Sequence, residues 1–219
     1  MTNIYKKWPI VFTKTTLTLF LLVVGVIFII LAFLDLPVTR WVTSLDDGVI
    51  APFKIITRAG NSDWILIPTL IGAIVGFILL KVKTAQKMWV KARLLFITSS
   101  FIFLSVAIPG VLANLIKRLL GRARPMNIEE LGIFYLRPFS DWQFQSFPSG
   151  DATTIFALFV ALAFLIPKLK WLFLFGAILV SLSRIMVGVH FPTDVFAGIL
   201  LGTFGSYAVR NYFISKNWL

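Results

Sequence analysis

Six long apolar runs constrain this chain more than any other feature of its sequence. They are Leu17–Leu34, Trp64–Leu80, Leu94–Ile116, Ala152–Pro167, Leu169–Val187 and Val195–Val209. A helix of about 17–25 apolar residues crosses a hydrocarbon core about 30 Å thick. The fourth and sixth runs are short, which predicts helices that begin inside a hydrated cavity. We therefore expect an all-α, polytopic membrane protein with six transmembrane helices.

Composition agrees with a membrane setting. The chain is 58% hydrophobic and 14% charged, whereas soluble domains are about 45–50% apolar and about 25% charged. We expect the first run to be a retained helix and not a signal peptide, because Asp35-Leu36-Pro37 follows it without a small-residue cleavage pattern. The sequence contains no linker, low-complexity tract or fixed-period repeat, which favours a single membrane domain over residues 1–219.

The basic residues predict the orientation. The N-terminus, the second and fourth connections and the tail contain 12 of the 21 Lys and Arg residues and no Asp or Glu: Lys6, Lys7, Lys14, Lys81, Lys83, Lys87, Lys91, Arg93, Lys168, Lys170, Arg210 and Lys216. Cytoplasmic loops carry such an excess, so both termini are expected in the cytoplasm. The first outer connection, Asp35–Asp63, mixes acidic and basic residues and is expected to be an ordinary solvated loop.

Cysteine and histidine usage narrows the chemistry. The chain has no cysteine and one histidine, His190. A disulfide framework, thiol catalysis, a zinc-thiolate site and an iron–sulfur cluster are therefore excluded, and so is a site with several histidine ligands. We expect no metal and no cofactor. A mechanism that needs imidazole must use His190.

The connection after the third run is unusually basic for the outer side. Lys117, Arg118, Arg122 and Arg124 place four cations in eight positions. Lys117 and Arg124 are seven residues apart, which on a continued helix is nearly one face. Arginine and lysine aimed at one point would hold an oxyanion. The alternative is an interfacial belt of basic side chains that reach lipid headgroups.

The fourth run is preceded by Pro148-Ser149-Gly150-Asp151. Small residues before a helix leave backbone N–H groups accessible to an anion, and Ser149 adds a hydroxyl donor. The alternative is that Ser149 or Asp151 only caps the helix.

The fifth connection contains Arg184, His190 and Asp194. Arg184 ends an otherwise apolar run, where a guanidinium is costly unless an anion or a carboxylate meets it. Pro192 separates His190 from Asp194, which predicts a turn followed by a helix whose first residues include Asp194. A carboxylate beside one imidazole nitrogen fixes the tautomer and leaves the other nitrogen free to react. A hydrogen-bonded interfacial histidine is the alternative.

Together these segments read K-x6-RP, PSG and SR-x5-H-x3-D, at residues 117–125, 148–151 and 183–194. This pattern resembles the type 2 phosphatidic acid phosphatase superfamily of membrane lipid phosphatases, which is related to acid phosphatases and vanadium haloperoxidases. The resemblance implies that His190 attacks phosphorus to form a phosphohistidine and that Asp194 orients and polarises it. It also implies a set of groups that hold the phosphoryl oxygens: Lys117, Arg124, Arg184, Ser149 and the backbone N–H of Gly150.

One position departs from the pattern of that superfamily. Its second motif usually reads PSGH, and the histidine protonates the leaving alcohol, whereas Asp151 follows Gly150 here. Asp151 serves as the acid only if it is protonated. Three explanations stay open: a native variant that works as the acid or on good leaving groups, an engineered His→Asp form, and a non-catalytic relative that binds lipid phosphates.

The resemblance implies a phosphatase that acts on a lipid phosphate or diphosphate at the outer leaflet. The short loops between the helices favour a bacterial inner membrane, with the active site facing the periplasm. Phosphatidic acid, phosphatidylglycerophosphate, undecaprenyl diphosphate and a lipid A phosphate are the candidate substrates. Phosphotransfer to a second lipid is a close variant. A channel, a transporter or a binding protein is the alternative class of function. Transporters more often place ionisable groups near the bilayer midplane, whereas here these groups lie at helix ends, so this class is less favoured. Nucleic-acid binding is favoured even less, because the basic residues are divided between two sides of the membrane. The sequence leaves the substrate and the oligomeric state open.

Overall fold

The computed structural model describes residues 14–82 and 86–219, and this part of the chain is helical. Lys6, Lys7 and Lys83, which support the predicted orientation, lie outside the described residues. Eight α-helices follow one another within them: α1 (Lys14–Thr43), α2 (Asp47–Ile56), α3 (Asp63–Lys81), α4 (Gln86–Leu120), α5 (Ile128–Leu131), α6 (Gly150–Leu165), α7 (Lys170–Met186) and α8 (Pro192–Ser215). The same residues form no β-strand, only an isolated bridge between Arg122 and Leu136.

Each predicted apolar run coincides with one of the longer helices. Within the described residues, four segments are long and apolar enough to cross a membrane: Lys14–Thr43, Asp47–Lys81, Gln86–Leu120 and Pro167–Met186. Helix α6 is apolar but has 16 residues, which gives a length of about 24 Å. The all-α membrane fold is therefore confirmed with four candidate spans, while six spans stay a prediction.

Helix α6 lies at the centre of the bundle. It packs against α4, α7 and α8, and its residues from Ala152 to Leu158 are all buried. Two glycines of α8 set its distance from α6: a Cβ on Gly198 would lie 2.5 Å from the carbonyl oxygen of Ser149, and a Cβ on Gly202 would lie 2.3 Å from that of Thr153. The two backbones therefore touch, as small residues permit between membrane helices. This contact places the first turns of α6 and α8 side by side.

The expectation of a solvated loop over Asp35–Asp63 is wrong for the first part of that segment. Helix α1 continues to Thr43, and Asp35 is only 1% exposed. Helix α2 and a 3₁₀ turn at Thr57–Gly60 then lead to α3. A carboxylate stays buried where it is paired, and Asp35 forms an ion pair with Arg122. The charges along the segment did not reveal this partner, which lies 87 residues further along the chain.

Candidate active site

A cavity of about 320 Å³ lies where α4, α6 and α7 meet the turn before α8. Its polar wall contains six of the residues singled out from the sequence: Lys117, Arg124, Gly150, Asp151, Arg184 and His190. The other two, Ser149 and Asp194, are fully buried next to it. The apolar part of the wall comes from α3 and α4, with Leu66, Val106 and Val111 among its residues. A cavity with a few convergent polar groups on an apolar background is typical of a ligand site.

The PSG segment is fixed to the start of α8. The Ser149 N–H donates to the Asp194 carbonyl oxygen at 2.9 Å. Ser149 is also the N-cap of α6, since its hydroxyl accepts from the Ala152 N–H at 3.4 Å. Helix α6 begins at Gly150 on the cavity wall, and the first N–H groups of a helix attract anions. Capping and anion binding are therefore compatible at this turn.

His190 and Asp194 lie together as the sequence predicts, in a turn followed by the first residues of a helix. His190 Nδ1 is 3.6 Å from Asp194 Oδ2, which is too long for a hydrogen bond. That oxygen accepts from the Ser146 hydroxyl at 2.5 Å and from the Phe191 N–H at 2.9 Å. Nδ1 is buried and has no hydrogen-bond partner among the described residues. Contacts of this kind often tighten when a substrate binds.

Burial holds His190 in the neutral form. The side chain is 3% exposed, and burial lowers its pKa to about 3, with a further lowering from the charge of Lys117 that the nearby Asp194 opposes. A neutral imidazole retains a lone pair at neutral pH. With Nδ1 facing Asp194, that lone pair is on Nε2, and His190 is suited to nucleophilic attack.

Lys117 and Arg124 reach the cavity from different elements, so the expectation that they share a helix face is wrong. Helix α4 ends at Leu120, and Gly121 has φ +61. A Cβ on Gly121 would lie 2.0 Å from the Arg137 carbonyl oxygen, so only glycine fits this left-handed turn. Lys117 lies in the last turn of the helix, while Arg124 belongs to the loop beyond the turn.

Backbone carbonyls orient both cations without neutralising them. Lys117 Nζ donates to the Gln145 carbonyl oxygen at 2.8 Å. Arg124 donates from Nε to the Trp142 carbonyl oxygen at 2.8 Å, and its guanidinium lies 4.6 Å from the centre of the Trp142 ring. Burial and the charge of Arg184 lower the Arg124 pKa to about 10, so the guanidinium stays positive at neutral pH. The Arg124 charge remains available to an anion, and Lys117 Nζ is held at the cavity wall.

Arg184 is met by a carboxylate. Its Nη1 lies 3.0 Å from Asp151 Oδ2 and also donates to the Thr57 hydroxyl. Asp151 in turn packs on Gly60, where an added Cβ would lie 2.7 Å from the Asp151 Cβ. The Nε of Arg184 is buried without a hydrogen-bond partner in the described part of the chain. One donor of Arg184 is therefore engaged by Asp151, and another is unused.

Sequence reasoning missed a second group of buried residues behind His190. Arg122 donates to Asp194 Oδ1 at 2.6 Å, to the Thr193 hydroxyl at 2.7 Å and to Asp35 Oδ2 at 2.8 Å. Asp35 also accepts from the Thr193 N–H and hydroxyl at 3.0 and 2.6 Å. A carboxylate directly after an apolar run was the available signal, because an ionisable group in such a place needs a partner.

Comparison with known proteins agrees with this arrangement. The sequence model of the PAP2 superfamily matches residues 99–218. A lipid A 1-phosphatase of Rhizobium johnstonii is 38% identical over 159 residues, which are 70% of this chain and 63% of that protein. The match therefore spans less than two thirds of this relative. An undecaprenyl-diphosphatase of Sulfolobus acidocaldarius is 37% identical over 106 residues, which are 48% of this chain and 50% of that protein.

A solved structure has the same fold. The transmembrane PAP2-type phosphatidylglycerolphosphate phosphatase of Bacillus subtilis superposes with a TM-score of 0.61 at 21% identity, over 89% of this chain and 96% of that one. The family match covers more than half of the chain and includes the three motifs at residues 117–125, 148–151 and 183–194. The chain therefore belongs to the PAP2 superfamily.

Proposed function

We propose that this protein is a membrane lipid phosphatase that works through a phosphohistidine on His190. One observation carries the proposal: a neutral histidine beside a buried carboxylate lines the same cavity as three cations. Phosphoryl transfer depends mainly on positioning and on positive charge around the phosphoryl oxygens. Lys117, Arg124 and Arg184 supply that charge.

The first step transfers the phosphoryl group to the protein. The Nε2 lone pair forms the N–P bond, the bond from phosphorus to the lipid oxygen breaks, and its electron pair leaves with that oxygen, which takes up a proton. The imidazole becomes positive and Asp194 stabilises it. Ser149 and the first N–H groups of α6 support the phosphoryl oxygens with the three cations.

The second step returns the protein to its starting state. A water molecule attacks phosphorus, the N–P bond breaks, and its electron pair returns to Nε2. Inorganic phosphate leaves, and one proton from the water is released. If a lipid hydroxyl takes the place of water, the product is a phosphorylated lipid, which is the phosphotransferase alternative.

Asp151 bears on the choice of substrate. As a carboxylate paired with Arg184, it is a poor proton donor for an alcohol of high pKa. We infer that substrates with more acidic leaving groups are favoured. A sugar 1-phosphate releases a hemiacetal hydroxyl, and a lipid diphosphate releases a lipid monophosphate, and both need less protonation than a simple alcohol.

Lipid A 1-phosphate is the substrate that we propose first. The support is the 38% identity to a lipid A 1-phosphatase, together with the leaving-group argument. A polyprenyl diphosphate such as undecaprenyl diphosphate is the second candidate, supported by the shorter match to an undecaprenyl-diphosphatase and by the same argument. Phosphatidic acid and phosphatidylglycerophosphate release ordinary alcohols and rank lower.

We also propose six membrane-spanning helices in a single domain, with both termini in the cytoplasm. The support is the coincidence of the six apolar runs with α1, α3, α4, α6, α7 and α8. The three motifs then lie at the outer ends of their helices, and the cavity faces the periplasm of a bacterial inner membrane.

The test is a panel of four lipids assayed with the purified protein in detergent across pH: lipid A 1-phosphate, undecaprenyl diphosphate, phosphatidic acid and phosphatidylglycerophosphate. We expect phosphate release from the first two and none after His190→Ala. A phosphorylated lipid without free phosphate would identify a phosphotransferase. If the parent protein and His190→Ala both bind these lipids and neither releases phosphate, the protein is a non-catalytic lipid-phosphate-binding relative and the phosphatase proposal is refuted.

A further inference from the structure

The buried groups behind His190 form a cluster in which only Asp194 has a part in the proposed reaction. This charge cluster consists of Asp35 on α1, Arg122 after α4, and Thr193 and Asp194 in the first turn of α8. Its two carboxylates are at most 1% exposed and Arg122 is 8% exposed. Removing three charged groups from water costs free energy, and a buried ion pair rarely stabilises a fold more than packed apolar residues would. A role in function would explain why the cluster is present.

We propose that Asp35 is a positioning residue that keeps the negative charge of Asp194 available to His190. The inference rests on the proposed function, since it assigns Asp35 a part in forming the phosphohistidine. Asp35 does not line the cavity, so its effect passes through Arg122 and Asp194.

The ion pair with Arg122 favours the ionised form of Asp35. Its Oδ1 accepts from the Thr193 N–H, and its Oδ2 accepts from the Thr193 hydroxyl and from Arg122. Two of these partners, the Thr193 N–H and Arg122, can only donate, and a carboxylate satisfies both without a donor of its own.

The charges of the cluster explain why a second carboxylate is needed. Arg122 alone would neutralise Asp194, because it donates to Asp194 Oδ1 at 2.6 Å. Asp35 contacts the other terminal nitrogen of the same guanidinium at 2.8 Å and balances it. One cation and two carboxylates leave a net negative charge beside His190, which becomes positive when Nε2 is phosphorylated.

The geometry of the cluster also orients the site. Asp194 Oδ1 is held by Arg122, which leaves Oδ2 on the side of His190. The Arg122 guanidinium lies 4.2 Å from the centre of the Phe191 ring, next to His190 in the chain. Asp35 holds Arg122 and the Thr193 backbone together. Helix α1 contributes no residue to the cavity wall, but through Asp35 and Arg122 it helps to position the Asp194 carboxylate beside His190.

Two substitutions at Asp35 separate charge from shape. Asp35→Asn keeps the shape and removes the charge, whereas Asp35→Glu keeps the charge and adds a methylene group. We expect Asp35→Asn to lower kcat about 10- to 100-fold, as removal of an orienting partner does, with KM and the inhibition constant of inorganic phosphate within about twofold. Asp35→Glu should retain more activity than Asp35→Asn. The double variant Asp35→Asn/Arg122→Gln restores the net charge and should recover part of the loss.

Glu129→Gln is the matched control, because Glu129 forms an exposed ion pair with Arg40 at 3.3 Å and its loss should leave kcat unchanged. Thermal unfolding of each variant identifies those that fold. The proposal is overturned if folded Asp35→Asn keeps kcat within threefold, if it loses kcat and phosphate affinity together, or if Asp35→Glu is the poorer of the two.

A lipid-independent readout separates this proposal from the proposed function. Phosphoramidate, a small phosphoryl donor, phosphorylates histidine directly, and ³¹P NMR follows the product on the single histidine of the chain. Asp35→Asn should slow this reaction about tenfold or more. If the parent protein hydrolyses no lipid but shows this difference, the proposed function fails and the role of Asp35 stands. Equal rates in the two proteins refute the role of Asp35.

Discussion

Replacing Asp151 with asparagine should strengthen phosphate binding. The carboxylate of Asp151 lies 3.0 Å from Arg184 Nη1, so a phosphate that enters the cavity has to share the guanidinium with it. Asparagine has the same shape and no charge. The variant therefore removes a competitor for Arg184 and a source of repulsion toward the dianion.

The expected magnitude follows from the distance and the exposure. Two unit charges 3.0 Å apart attract one another by about 1.4 kcal/mol in water and by more in a protein interior. The Asp151 side chain is 31% exposed, so solvent screens the pair and the lower figure applies. A gain of about 1–2 kcal/mol corresponds to affinity that is about 5- to 30-fold higher.

The assay is calorimetric titration with inorganic phosphate at pH 7, on a His190→Ala background in which no phosphohistidine forms. Asp47→Asn is the control, since Asp47 pairs with Lys54 at the same 3.0 Å on an exposed helix, and its affinity should not change. Unchanged or weaker phosphate binding by Asp151→Asn would show that Arg184 does not serve the phosphate.

Three further predictions concern the cavity and the fold. Lys117→Gln should raise the Kd of inorganic phosphate about 10- to 100-fold while the protein stays folded, because it removes a charge-assisted contact; the same titration measures this, and an unchanged Kd would contradict it. The pKa of His190 is lowered to about 3 by burial, so the unfolded chain binds a proton below about pH 6.5 and the folded chain only below about pH 3. The free energy of unfolding should therefore decrease as the pH is lowered from about 6.5 to about 3. His190→Gln should show a smaller drop in Tm over that window, and an equal drop would refute the assignment. Gly202→Val should destabilise the protein by about 1–3 kcal/mol or more, because its Cβ would lie 2.3 Å from the Thr153 carbonyl oxygen, whereas Gly25→Val meets nothing within 4 Å and should be neutral in a thermal unfolding assay.

The sequence predicted the helices well because their signal is local. Each apolar run is long enough to be read without knowledge of its neighbours, and the runs coincide with the observed helices. The turn before α8 was also predictable, since Pro192 begins a helix readily and Asp194 follows it in the first turn. Six of the residues that line the cavity were found by their chemical type and by the resemblance of their spacing to known motifs.

The contacts between distant segments were not predictable. Asp35 belongs to a stretch with other acidic residues, and only the packing of α1 shows that it reaches Arg122. Arg122 itself is one of four cations in a short segment. Lys117 and Arg124 were selected because they would share a face of a continuous helix, but the left-handed turn at Gly121 ends that helix between them. The pairing of Asp151 with Arg184 likewise depends on the distance between α6 and α7, which cannot be read from a single sequence.

Two parts of the cavity wall are positioned in different ways. The first turn of α6, with Gly150 and Asp151, is held against α8 by the glycine contact, whereas the apolar residues Leu66, Val106 and Val111 come from α3 and α4. Changes at Leu66 or Val111 therefore alter the surface offered to a lipid without moving the reactive groups. Selection for a new lipid can act on these apolar positions while the reactive groups are inherited unchanged, so variation among such enzymes should be concentrated at the apolar positions of α3 and α4 and should spare Lys117.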